Sequence, residues 1–117
     1  MDLGVLYTIL VGVARRGGQI AYGQLSRVYH AATGEWHEPH GSWDNPLGEL
    51  NQRLAGQGWP ALSAVVVLDG LFEPGGGFWG SGPNVPRRPA NDMARIAEYS
   101  RILVDVHHAP WPDAIPA

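Results

Sequence analysis

The chain has no cysteine and no lysine. The first absence excludes disulfides, thiolate nucleophiles and every cysteine-type zinc site, so a metal would need His, Asp or Glu ligands. The second leaves arginine as the sole strong cation in a chain of net charge −3, without the broad basic footprint of a general phosphate binder. A long apolar run is missing as well. The stretch from Leu3 to Ala14 is broken by Thr8 and two glycines, and it falls short of the roughly 20 apolar residues a membrane span needs. Asp2 stands where a secretory signal wants positive charge, and Arg15-Arg16 follow instead of a small-residue cleavage site. These absences lead to the expectation of a cytoplasmic protein with no membrane partner.

What is present suits one domain over residues 1–117: the chain is 44% hydrophobic, enough for one core and too short for two comfortable ones. Its 16 glycines and 10 prolines cluster, so they read as punctuation between periodic segments and not as disorder. Leu3, Leu6, Leu10 and Val13 recur at helical spacing, with Gly17-Gly18 as the stop. Gln19-Ile20-Ala21 reads as a short extended piece. Leu25, Val28, Tyr29 and Ala32 then make the stripe of a second helix ending near Gly34.

Glycine and proline breakers make the segment from Glu35 to Asp44 a loop carrying Trp36, His37, His40 and Trp43. A third helix is expected with Asn45 as its cap, Pro46 in first position, and Leu47, Leu50 and Leu54 on its apolar side. The β-branched run Leu62 to Leu68 reads as a buried strand, and Phe78-Trp79, beyond three glycines, as its return strand in a hairpin. After a linker from Ser81 to Pro89, Asn91 caps a fourth helix with Met93, Ile96, Ser100, Leu103 and Val106 on one side, ended by Pro110 and Pro112.

That order predicts an α+β fold of winged-helix type: three helices, a small antiparallel hairpin as the wing, and a further helix. Tyr22-Gly23-Gln24-Leu25, Pro60 leading into a hydrophobic strand, and Gly76-Gly77-Phe78-Trp79-Gly80 resemble the C-terminal domain of alkylguanine alkyltransferases and alkyltransferase-like proteins. The resemblance spans roughly residues 19 to 80 and implies a winged-helix reader of damaged DNA. Ala61-Leu62-Ser63-Ala64 stands where that family has its reactive cysteine and supporting histidine, which excludes alkyl transfer. The chain is also similar, and more closely, to a loose group of small uncharacterised bacterial and phage proteins. The match is carried by Ala21-Tyr22-Gly23-Gln24-Leu25, Leu47-Gly48-Glu49-Leu50, Gly58 through Val66 and Pro74 through Phe78. That group brings no established activity.

Candidate binding residues are Trp36 and Trp43 in the loop, because tryptophan is enriched at interaction hot spots, and Asn51, Gln52 and Arg53 on the third helix, whose side-chain types read base edges. Arg15, Arg16, Arg87 and Arg88 are the candidates for phosphate contacts. Glu35, His37, Glu38 and His40 have ligand chemistry but not the spacing of a metal site, and they read as polar loop residues. His107-His108 near Asp105 read as a helix end favoured by the dipole, with no nucleophile to serve. No cofactor and no catalytic set is expected. The leading expectation is a non-catalytic binding module, of phage or mobile-element type, that engages a host protein or complex, for example as an inhibitor of a nucleic-acid-handling defence complex such as an anti-CRISPR protein. The alternative is a winged-helix protein binding double-stranded DNA.

Overall fold

A computed structural model describes residues 1–116. It contains four helices, α1 (Leu3–Arg15), α2 (Tyr22–Thr33), α3 (Asp44–Gly56) and α4 (Asp92–His108), and two very short strands, β1 (Ile20–Ala21) and β2 (Val66–Val67). The α+β class expected from the sequence is therefore present. Asp2 caps α1 by accepting from the Val5 amide, and Gly34 closes α2 in the left-handed conformation, φ 80°, that a residue with a Cβ rarely adopts. Asn91 caps α4 as expected, its Oδ1 accepting from the Ala94 amide at 2.8 Å. The start of α3 differs from expectation. The helix begins at Asp44, with no side-chain cap at Trp43, so Asn45 lies inside the first turn and Pro46 still loses no helical hydrogen bond there.

The antiparallel hairpin is corrected by the strand pairing. β1 pairs with β2 in parallel, Ile20 opposite Val66 and Ala21 opposite Val67. Phe78 lies at the end of a 3-10 turn, Gly76–Phe78, and Trp79 follows it without joining a strand. The physical reason is local. Pro74 lacks an amide donor, the three glycines offer no side chain to pack on a sheet face, and the Phe78 ring is drawn into the core, edge-on to Tyr99 at 6.2 Å. The expected strand from Leu62 to Leu68 shortens likewise, because Leu62–Val65 winds into a 3-10 turn before β2.

That 3-10 turn is the centre of the molecule: α1, α3 and α4 all pack against it, and every residue from Ala61 to Val67 is buried. Helix α4 is rotated from the expected face. Tyr99, Ile102 and Val106 point inward, whereas Met93 and Ile96 lie in solvent. Two polar anchors set that rotation. The Tyr99 hydroxyl donates to the Ala64 carbonyl at 2.7 Å and accepts from Gln19 Nε2, and Arg95 is clamped to Glu73 at 2.7 Å.

Trp43 is also placed differently from the sequence reading. It is fully buried, edge-on to Tyr29 at 5.5 Å, and its Nε1 donates to the buried Ser26 hydroxyl at 2.9 Å. A ring of this size leaves water most favourably where its one polar atom has a partner, and the backs of α2 and α3 supply that place. Trp36, in contrast, is 50% exposed. The expected outcome is that Trp43→Ala lowers unfolding free energy by about 3–5 kcal/mol, whereas Trp36→Ala stays within about 0.5 kcal/mol of the parent. Urea denaturation followed by circular dichroism checks both; a mild Trp43→Ala effect would contradict the burial.

Candidate binding surfaces

The residues singled out on α3 separate into inside and outside. Asn51 is fully buried. Its Nδ2 donates to the hydroxyls of Ser63 at 2.7 Å and Ser81 at 2.9 Å, and its Oδ1 accepts from the Ser63 amide at 3.4 Å. A buried asparagine with donor and acceptor both engaged is structural, so Asn51 is corrected from base reader to the tie between α3 and the central turn. Gln52 and Arg53 remain exposed, but Arg53 stands 3.9 Å from Glu49, one helical turn back.

The arginines divide in the same way. Arg15 donates to the Trp111 carbonyl at 2.7 Å and pairs with Asp113 at 3.1 Å, so it fastens the segment after α4 onto α1 instead of standing free for a phosphate. Arg95 meets Glu73 and Asp92, and Arg101 meets Glu98 and Asp105. Arg16, Arg87 and Arg88 are exposed and form no ion pair among the described residues.

The loop between α2 and α3 folds onto the core. His37 sits 5.3 Å from the ring centres of both Tyr29 and Trp43, and Trp36 turns outward with its Nε1 on Glu38 at 2.9 Å. At the far end of the chain, His107 Nε2 meets the Gly18 carbonyl at 2.9 Å. Because a carbonyl only accepts, that nitrogen carries the hydrogen, and His107 joins α4 to the end of α1. His108 bonds its own helix at Val104. Among the described residues neither histidine has a hydroxyl as hydrogen-bond partner.

Two depressions are lined, apart from Arg88, by residues not nominated for binding from the sequence. A broad groove of about 500 Å³ runs between the Gly58–Pro60 turn and the second half of α4, with Trp59, Arg101, Asp105 and His108 in its walls. Trp59 is stacked at 5.1 Å on the buried Trp111, and the groove's arginine is already neutralised by its two carboxylates. The second depression, about 180 Å³, is walled by Leu68, Leu71, Pro74 and Trp79, with Glu73, Arg88 and Arg95 among its polar lining. Beside it the surface is apolar: Phe72 is 81% exposed and Met93 83%, and Leu71 and Ile96 are each more than half exposed. Glu73 adjoins Phe72 in the chain and holds Arg95, the neighbour of Ile96, so the turn lies close to the first half of α4.

Sequence reasoning missed this surface because it assigned Met93 and Ile96 to the core; the signal that could have found it was Tyr99, an amphipathic residue competing for the inward face. No family model, curated protein or solved structure matches the chain. Among the described residues no helix is long and apolar enough to cross a membrane.

Two outcomes follow from the buried polar groups. Asn51→Ala leaves Ser63 and Ser81 without their partner and lowers stability by about 1–3 kcal/mol, against a negligible change for Gln52→Ala; thermal melts compare the two. Burial pushes the Tyr99 hydroxyl up from 10.0 to about 12, so the folded state holds this proton more tightly than the unfolded chain. The associated stability is fully present below pH 10 and is lost as pH rises toward 12. Burial also raises Tyr7 and Tyr22, so Tyr99→Phe should show a shallower, not a flat, fall in urea midpoint across that window.

Proposed function

We propose that this chain is a non-catalytic binding module that engages a partner protein through the apolar surface of the 71–72 turn and the outer side of α4. The observation that carries this reading is the exposure of Phe72 and Met93, 81% and 83%, beside Leu71 and Ile96. Large apolar side chains exposed on a turn and on the helix tied to it by the Glu73–Arg95 ion pair are costly to leave in water, and covering them is what a protein partner does. The arrangement of the polar groups supports it. His107, Asn51 and Tyr99, the residues best equipped for chemistry by type, are each engaged in holding the fold.

The partner we propose is a host protein or complex, in keeping with the resemblance to small bacterial and phage proteins read from the sequence. Inhibition of a nucleic-acid-handling defence complex, as by an anti-CRISPR protein, is the form of that reading most in keeping with a small acidic binder.

A second reading, a winged-helix protein binding double-stranded DNA, draws on the three helices that precede β2 and on the exposed Gln52 and Arg53 of α3. Glu49 beside Arg53 works against it, since a carboxylate there repels phosphate.

One paired experiment separates the readings. The immobilised chain is expected to retain a protein from a bacterial lysate, and the double variant Phe72→Ser/Met93→Ser to lose it while melting as the parent does, within about 0.5 kcal/mol. Retention unchanged by that variant would remove this surface from the reading. In parallel, fluorescence anisotropy with duplex DNA should show no salt-dependent binding; binding that weakens with salt and with Arg53→Glu would establish the DNA reading instead.

A further inference from the structure

Resting on the binding-module reading, we infer that the cavity beside Trp79 docks an acidic amphipathic segment of the partner, one bulky apolar side chain entering the cavity while carboxylates meet Arg87 and Arg88.

The cavity comes first. Its volume of about 180 Å³ compares with the roughly 150 Å³ that accommodates benzene in an engineered protein cavity, so it takes one leucyl or aromatic side chain. Leu68, Leu71, Pro74 and Trp79 offer such a side chain apolar contact, and Phe72, next in the chain to Leu71, is exposed for more.

Charge selects the rest of the occupant. Arg95 is saturated, with Nε and Nη2 on Glu73 and Nη1 on Asp92. Arg88 lines the same cavity, and it and Arg87 meet no carboxylate within ion-pair distance among the described residues. Four of the chain's arginines, Arg15, Arg53, Arg95 and Arg101, have an internal carboxylate. Two that lack one, Arg87 and Arg88, are consecutive in the chain, and the second of them lines the cavity. A guanidinium is weakly hydrated and presents a fork that a carboxylate satisfies with two hydrogen bonds, so an acidic segment completes what the chain leaves open. Nucleic acid fits less well: Phe72 and Trp79 are the rings this surface offers for base stacking, beside the aliphatic Leu71, Met93 and Ile96, and two adjacent arginines make a narrow footprint for a phosphate backbone.

The test pans a phage-displayed library of random peptides against the immobilised full chain, then titrates the enriched peptides, fluorescently labelled, against four proteins. These are the parent, Arg87→Glu/Arg88→Glu, Leu71→Ser/Phe72→Ser, and Trp36→Ser as a control from the other loop. All the altered side chains are exposed, and circular dichroism verifies that each variant folds. The expected consensus places Asp or Glu next to Leu, Phe or Trp, with affinity reduced about tenfold or more by either double variant, reduced by salt, and unchanged by Trp36→Ser. Enriched peptides that are basic or uncharged, or that bind both double variants as well as the parent, overturn the docking assignment and leave the binding-module reading standing. A library that yields no binder also overturns it, and with a lysate that yields no retained protein the module reading falls too. Labelled single-stranded DNA that binds in place of peptide and is released by Arg87→Glu/Arg88→Glu makes the surface a nucleic-acid site. Concentration-dependent dimerisation of the parent in sedimentation, abolished by Leu71→Ser/Phe72→Ser, makes the occupant a second copy of the chain.

Discussion

The structure depends on satisfying a stretch of buried backbone that is neither helix nor extended sheet. Residues Ala61 to Val67 pass through the middle of the molecule out of contact with water, and each amide and carbonyl left unpaired there would cost about as much as a lost hydrogen bond. Three different elements supply partners. β1 pairs with β2, Asn51 on α3 accepts from the Ser63 amide, and Tyr99 on α4 donates to the Ala64 carbonyl. The positions of α3 and α4 are thereby set by polar contacts to the centre as well as by apolar packing around it.

That constraint reaches the surface. With Tyr99, Ile102 and Val106 turned inward, the helical repeat puts Ile96 roughly 90° and Met93 roughly 150° from the centre of that face, so both emerge into solvent. The same region is held by Arg95 between Glu73 and Asp92, which brings the 71–72 turn alongside the helix. The exposure of Met93 and Ile96 is thus a by-product of how the core satisfies its backbone.

Local signals in the chain were read well where they were local. The four helices follow apolar periodicity, and the Gly34 and Asn91 boundaries follow chemistry that acts within one turn of the backbone. The misassigned binding residues share a cause. Asn51 and Trp43 carry side chains typical of binding sites, but each meets its partner far along the chain, Ser81 and Ser26 respectively. Arg15 likewise finds Asp113. Whether a polar group is available to a ligand or consumed by the fold is a question about distant residues, and no window of sequence contains the answer.

Composition by itself determined that cysteine chemistry is excluded, that lysine makes no contribution to any charged surface, and that one core is all the chain can build. Periodicity determined where the helices lie. Only the tertiary structure decided that β1 and β2 run parallel, that α4 shows Met93 and Ile96 to solvent, and that Arg88 lines a cavity without an ion-pair partner among the described residues. The physical reason is that hydrophobic patterning specifies which residues prefer to leave water, whereas strand direction, helix rotation and ion pairing are settled by which buried polar groups find one another once the chain has closed.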